Sequence, residues 1–146
     1  MKKSICSLLL LASLASGDFL RDDSKSIVLD TSTNLMWQDD NRTIGDTNKK
    51  NWDDSISFCE GLDLAGYTNW HLPNFNELYG LANRNKYSPA ISEVFQNVVS
   101  SYYWSSTADA SYTSTAWFVN FDNGYAASTA KASTFYFRCV RLADND

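Results

Sequence analysis

The chain has 146 residues, with 12 Lys and Arg against 17 Asp and Glu, and a formal net charge of −5. This length accommodates one domain with a hydrophobic core but not two. Because contacts from Lys and Arg to phosphate supply most of the affinity for nucleic acids, the acidic balance argues against a nucleic-acid-binding protein.

The N-terminal segment has the three-part layout of a secretory signal peptide. Lys2 and Lys3 supply positive charge, an apolar run extends from Ile5 to Leu14, and small residues follow up to Gly17. A membrane span needs about 20 apolar residues, and this run is shorter. We therefore predict that residues 1–17 are a cleaved signal peptide. Residues 18–146 would form one exported domain, periplasmic or extracellular, without stable membrane insertion.

The exported part begins with a predicted β-hairpin. Ile27–Asp30 and Leu35–Gln38 have the composition of strands, and turn-forming residues separate them. The stretch that follows, from Asp39 to Lys50, is polar and shows no apolar periodicity, which predicts an exposed loop. Its Asp and Asn oxygens could bind calcium, but solvated turns are the simpler interpretation.

Two helices are predicted next. The first places four apolar side chains on one face: Trp52, Ile56, Cys59 and Leu62. The second begins after the cap residue Asn74, because Glu77, three residues on, can bond back to the cap amide. Pro73 restrains Leu72 to an extended conformation, so the chain enters this helix extended.

The C-terminal part is rich in aromatic and β-branched residues, which favours strands. The predicted strands are Tyr102–Trp104, Ala116–Phe121 and Thr134–Arg141, with a turn at Asp122–Gly124. A hairpin, two helices and then several strands indicate an α+β domain. In this fold class the two helices lie beside a small antiparallel sheet with long loops.

Two cysteines, Cys59 and Cys139, remain once Cys6 is removed with the signal peptide. An even number of cysteines in an oxidising compartment favours a disulfide. We therefore predict one disulfide between Cys59 and Cys139. Two free, buried thiols are the alternative.

Five segments in this order resemble the Lcl C-terminal domain family, named for the C-terminal part of a collagen-like bacterial adhesin. They are Asp30–Trp37 (DTSTNLMW), Trp52–Cys59 (WDDSISFC), Gly66–Leu78 (GYTNWHLPNFNEL), Tyr103–Thr107 (YWSST) and Arg138–Arg141 (RCVR). The resemblance marks eleven motif residues as structural: Trp37, Trp52, Trp70, Leu72, Pro73, Glu77, Trp104, Ser105, Ser106, Arg138 and Arg141. Similar landmarks occur in the formylglycine-generating, sulfatase-modifying fold, so the resemblance implies a C-type-lectin-like fold, which does not by itself imply lectin activity.

The sequence departs from the family pattern at two motif positions. Asn34 stands where a glycine is usual in the turn, and asparagine tolerates a positive φ. His71 stands where the family commonly has arginine, and it replaces a permanently charged, forked side chain. A role that depends on that arginine is therefore not transferred to this chain.

No catalytic set or metal site is predicted. His71 is the only histidine, and its position between Trp70 and Leu72 predicts a buried, structural residue. A formylglycine-generating enzyme uses a pair of cysteines near its C-terminus, whereas this chain has only Cys139 there. The cysteines and the histidine are also too dispersed for a zinc site. We therefore predict a protein that is not an enzyme and that has no cofactor.

Most of the aromatic residues are expected in the core. An exposed subset, drawn from Tyr102, Tyr103, Tyr112 and Tyr125, could stack on sugar rings or on a protein partner. The resemblance implies adhesion or carbohydrate recognition. The adhesin that names the family binds sulfated polysaccharide, but the negative charge and His71 argue against the same ligand here.

The predicted function is therefore that of an exported, non-catalytic bacterial binding module, engaged in adhesion or in recognition of a glycan or an envelope protein. Two alternatives remain open. One is an enzyme or accessory protein of the sulfatase-modifying type. The other is a structural module that binds only an envelope protein.

Overall fold

A four-stranded sheet, a three-stranded sheet and two helices are described in the computed structural model, which covers residues 18–143. The predicted signal peptide lies outside these residues. The elements are β1 (Phe19–Asp22), β2 (Ile27–Asp30), β3 (Leu35–Gln38), α1 (Trp52–Glu60), α2 (Phe75–Leu81), β4 (Tyr102–Ala108), β5 (Thr115–Asn120), β6 (Ala126–Ala130) and β7 (Val140–Leu142). No helix in this part of the chain is long and apolar enough to span a membrane. The predicted α+β class is confirmed, with two small antiparallel sheets instead of one.

The first sheet joins the two ends of the described chain. Its strand order is β1-β2-β3-β7, and all neighbours are antiparallel. The predicted hairpin of β2 and β3 is confirmed, with a φ of 60° at Asn34 in its turn. The side-chain amide of Asn34 donates to the carbonyl oxygen of Ala143 at 3.2 Å. The residue that replaces the family's glycine thus also connects the hairpin turn to the segment after β7.

The second sheet has the order β4-β5-β6. The predicted turn at Asp122–Gly124 connects β5 to β6. Gly124 has a φ of +86°, and an added Cβ would lie 2.6 Å from Cγ of Arg84, so this position requires glycine. Strand β6 was outside every predicted element, because its small residues (AASTA) carry no apolar alternation.

The predicted strand Thr134–Arg141 is wrong over most of its length, since only β7 forms there. The amide of Cys139 donates to the side-chain oxygen of Gln38 at 3.0 Å and not to a neighbouring main chain. Tyr136 forms only an isolated parallel bridge with Tyr103. This segment is therefore fixed by side-chain contacts and single bridges. Its apolar composition is the reason why a strand is predicted there.

Each helix begins after a capping asparagine, and the cap at Asn74 is the one predicted from the sequence. The side chain of Asn51 accepts a hydrogen bond from the amide of Asp54 at the start of α1. At the start of α2, Asn74 and Glu77 form both bonds of the capping box. On the predicted face of α1, Cys59 is buried while Trp52 and Ile56 are partly exposed, and α2 buries Leu78 and Leu81. Local sequence therefore fixes these two starts.

The core contains three of the five tryptophans, Trp37, Trp70 and Trp104. The indole nitrogens of Trp70 and Trp104 donate to main-chain carbonyl oxygens at 2.9 and 3.0 Å. The indole nitrogen of Trp37 has no hydrogen-bond partner within residues 18–143. Trp52 and Trp117 are partly exposed.

The predicted disulfide between Cys59 and Cys139 is confirmed. It connects α1 to the residue before β7 across a sequence separation of 80 residues. Both cysteines are fully buried. The bond therefore ties the middle of the domain to its last strand.

The buried carboxylate of Asp39 corrects the predicted exposed loop. Asp39 is 0% exposed. One of its oxygens accepts hydrogen bonds from Arg138 at 2.8 Å and from the amide of Asn97 at 3.1 Å. The other accepts from the amide of Gln96 at 2.8 Å and from the guanidinium of Arg21. The carboxylate is thus completely paired inside the protein, which is what a buried charge requires.

We expect the paired substitution Cys59→Ala/Cys139→Ala to lower the free energy of unfolding by about 2–5 kcal/mol, because an 80-residue loop is no longer closed in the unfolded chain. Urea denaturation of both proteins measures the difference. Peptide mapping without reductant should recover the two cysteines in one linked pair. Recovery of both as free thiols would contradict the assignment.

We expect Asp39→Asn to lower the free energy of unfolding by about 3–5 kcal/mol, because it leaves two arginines without their buried counter-charge. The matched control is Asp23→Asn, which removes the exposed partner of the same Arg21 and should cost less than about 1 kcal/mol. Equal losses in urea denaturation would show that the buried pair is not a principal stabilising contact.

Candidate ligand-binding groove

The entry to α2 is hydrogen-bonded to β4. The amide of Ser106 donates to the carbonyl oxygen of Pro73 at 2.8 Å. The amide of Phe75 donates to the hydroxyl of Thr107 at 2.9 Å. The LPNFNEL and YWSST segments are distant in the chain, and these two bonds join them into one rigid unit.

A groove with a volume of about 470 Å³ opens beside this junction. Its lining residues come from the start of α2, from β4 and from β5: Asn74, Phe75, Asn76, Thr107 and Trp117. The indole ring of Trp117 is partly exposed and meets the ring of Phe75 edge to face, with 5.6 Å between centroids. We call this cavity the Trp117 groove.

The strand geometry of β5 sets the direction of Trp117. Successive side chains of a strand point to opposite faces of the sheet. Phe118 packs against Phe135 with 5.1 Å between ring centroids, so Trp117 faces the other way, toward α2. The hydroxyl of Ser105 donates to the carbonyl oxygen of Trp117 at 2.8 Å and holds this part of β5 against β4.

Uncharged polar groups surround the aromatic surface. The side-chain oxygen of Asn74 accepts from the amide of Glu77 at 2.8 Å, which leaves the NH₂ group of Asn74 as a donor. The hydroxyl oxygen of Thr107 accepts from Phe75, so its O–H can still donate. The side chain of Asn76 is exposed at the rim. The groove thus combines one aromatic face with several hydrogen-bonding groups.

Residues 26–141 match the sequence pattern that describes the Lcl C-terminal domain. The chain belongs to the Lcl C-terminal domain family. The matched region begins just before β2 and ends within β7, so it includes every residue that lines the Trp117 groove. No curated protein sequence matches this chain.

The tyrosines expected to be exposed occupy different parts of this Lcl C-terminal domain. The prediction is wrong for Tyr103, which is 1% exposed and donates its hydroxyl to the carbonyl oxygen of Thr43 at 3.1 Å. Tyr102 and Tyr125 are exposed and line a smaller cavity of about 180 Å³. Tyr112 is exposed on the connection between β4 and β5 and lines neither cavity.

Most of the motif residues of the Lcl C-terminal domain are inside the protein. Eight are buried: Trp37, Trp70, Leu72, Pro73, Trp104, Ser105, Arg138 and Arg141. Trp52, Glu77 and Ser106 are partly exposed. The guanidinium of Arg141 lies 4.6 Å from the ring centroid of Tyr67 and donates to the carbonyl oxygen of Thr68. These residues build the scaffold of the groove and do not line it.

The sequence patterns do not single out four of the five groove residues: Phe75, Asn76, Thr107 and Trp117. The available signal is strand alternation, which places Trp117 on the face opposite Ala116 and Phe118. The alternation of side chains along β5 does not show that α2 covers only part of the sheet face on which Trp117 lies. The exposure of Trp117 therefore depends on packing between distant segments.

His71 and Glu77 form a pair beside the Trp117 groove. The predicted burial of His71 is wrong, since its side chain is 44% exposed while its main chain bridges to Val140. Its Nε2 lies 3.2 Å from Oε1 of Glu77, which also accepts from the amide of Asn74 at 2.9 Å. Within residues 18–143, no group of three or more His, Cys, Asp or Glu side chains could hold a metal ion.

The carboxylate of Glu77 is stabilised by its neighbours. Burial raises the pKa of Glu77, but the hydrogen bonds from His71 and from the Asn74 amide outweigh burial and leave this pKa below its ordinary value of 4.5. Because the pKa of Glu77 is lowered in the folded protein, its ionised carboxylate stabilises the folded state at pH values above 4.5. The contribution is lost as the pH falls through the lower pKa of the folded state.

We expect Glu77→Gln to lower the free energy of unfolding by about 1 kcal/mol at pH 7, because the amide cannot replace the charged partner of the cap and of His71. The difference should shrink as the pH falls below 4.5, because Glu77 becomes protonated in the folded state as well. Urea denaturation at pH 7 and at a series of acidic pH values measures it. Glu60→Gln, at the exposed end of α1, is the control. A pH-independent difference for Glu77→Gln would contradict the role of its charge.

Proposed function

We propose that this Lcl C-terminal domain is a non-catalytic binding module that recognises a glycan through the Trp117 groove. The observation that carries the proposal is the partly exposed indole ring of Trp117, surrounded by amide and hydroxyl groups. Sugar rings present an apolar face and a hydroxyl edge, and an aromatic ring with nearby hydrogen-bonding groups complements both. Adhesion to a surface glycan is the role that this activity would serve.

A C-type-lectin-like fold is part of the proposal. Its support is the combination of family membership with two helices, two small antiparallel sheets and a disulfide from α1 to the residue before β7. On such a scaffold, ligands bind at the surface, where segments held by a rigid core meet. The Trp117 groove occupies a position of this kind.

Export of the protein rests on two features. The first 17 residues have the charge and hydrophobicity pattern of a signal peptide, and the disulfide is typical of an oxidising compartment. The same disulfide weakens the alternative of a sulfatase-modifying enzyme, because Cys139 is bonded to Cys59 and offers no thiol. We therefore favour a binding module over an enzyme.

A protein-binding module is the second candidate. It is favoured by a groove of about 500 Å³ beside the first sheet, which Leu20, Leu29 and Tyr67 line together with the charged residues Arg21, Asp22, Asp23 and Lys25. Leu20 is 48% exposed. Exposed apolar surface of this kind is often an interaction site. A pull-down against envelope extracts would separate this function from glycan binding.

We expect Trp117→Ala to weaken glycan binding by about tenfold or more, because loss of one stacking platform costs about 1.5 kcal/mol. A glycan-array screen of the protein purified from full-length expression, with calcium and again with chelator, measures this. Tyr87→Ala, which removes a 72% exposed ring outside the grooves, should bind like the wild type. Unchanged glycan binding by Trp117→Ala would show that the Trp117 groove is not the binding site. If the wild-type protein binds no glycan on the array, a protein partner is favoured.

A further inference from the structure

The Trp117 groove contains no charged side chain. Its lining consists of two asparagines, one threonine and two aromatic residues. From this composition we infer that its ligand is an uncharged pyranose ring of a glycan chain, and not a sulfated or carboxylated sugar. The inference rests on the proposed function and specifies its ligand.

The basic side chains elsewhere in the domain are already engaged. Residues 18–143 contain ten Lys and Arg, and each one pairs with a carboxylate or lies over an aromatic ring. The ion-paired residues are Arg21, Arg42, Lys49, Lys86 and Arg138. The residues over rings are Lys25, Lys50, Arg84, Lys131 and Arg141. Recognition of a sulfate requires a Lys or Arg side chain that can form a charged hydrogen bond with it. In this domain such a bond would compete with the ion pairs and ring contacts that these side chains already make.

The carboxylate of Glu77 lies next to a lining residue of the groove. Glu77 follows the lining residue Asn76 and accepts a hydrogen bond from the amide of Asn74 at 2.9 Å. Its pKa is below the ordinary value, so the carboxylate is ionised at neutral pH. An anionic sugar in the groove would come close to this carboxylate and be repelled by it, whereas an uncharged sugar would not be repelled.

The remaining groups match an uncharged ring. The indole of Trp117 offers an apolar face on which the C–H groups of a pyranose can stack. The NH₂ of Asn74 and the hydroxyl of Thr107 can donate to sugar oxygens at the edge of that face. The ring of Tyr79 stacks on Phe75 at 5.1 Å and has the guanidinium of Arg84 over it at 4.1 Å, so the aromatic surface open to a ligand ends at Phe75.

A glycan array that carries both neutral and sulfated oligosaccharides tests the inference. We expect binding to neutral members, loss of that binding in Trp117→Ala, and a change of less than about twofold between roughly 50 mM and 500 mM NaCl. Binding confined to sulfated members, weakened by salt, would overturn the inference and leave glycan recognition intact. Binding to no glycan would overturn the proposed function, and the inference with it.

A charge-introducing variant supplies the second measurement. Asn76→Arg adds a cation at an exposed position of the groove rim, and Tyr87→Arg adds the same charge outside it. We expect no saturable binding of dextran sulfate by the wild type or by Tyr87→Arg, and saturable binding by Asn76→Arg. Saturable binding of dextran sulfate by the wild type that Trp117→Ala abolishes would overturn the inference.

Discussion

The buried ion pair of Asp39 with Arg138 is the contact on which the arrangement of the domain depends. A carboxylate removed from water costs several kcal/mol unless every oxygen is paired. Asp39 meets this requirement with two arginines and two main-chain amides from three separate parts of the chain. Arg138 also donates to the carbonyl oxygens of Gln38 and Asn97, at 2.6 and 2.8 Å. The long connection between α2 and β4 is thereby fixed against the first sheet, although it contains no regular element.

This network also positions the Trp117 groove. Arg138 immediately precedes the disulfide-bonded Cys139, and Val140 then exchanges two main-chain hydrogen bonds with His71, at 2.8 and 2.9 Å. Asn74, at the rim of the groove, lies three residues after His71 in the chain. The start of α2 is therefore held by a continuous series of bonds that begins at Asp39. Lining residues on so rigid a base lose little freedom when a ligand binds, which lowers the entropic cost of recognition.

The parts of the fold that could be predicted from the sequence are those decided by neighbours in the chain. The β2–β3 hairpin, the cap at Asn74 and the α+β class follow from local patterns, and the disulfide follows from cysteine number and compartment. The burial of Asp39 could not be predicted, because a polar segment becomes interior only when arginines from both ends of the domain reach it. The same holds for Trp117, whose strand pattern resembles that of a core residue. The Trp117 groove exists only where α2 leaves the second sheet partly uncovered.

The sheet order β1-β2-β3-β7 has a consequence for the time course of synthesis. Strand β3 acquires its second neighbour only from Val140–Leu142, near the end of the chain. The hairpin, both helices and the second sheet can emerge from a ribosome or a translocation pore while this edge of β3 is still open. Closing it requires contacts across more than a hundred residues, and such distant contacts slow folding. The domain is therefore expected to reach its native state only after Val140–Leu142 has been synthesised, and a chain that stops before β7 would leave an unpaired strand edge that is prone to aggregation.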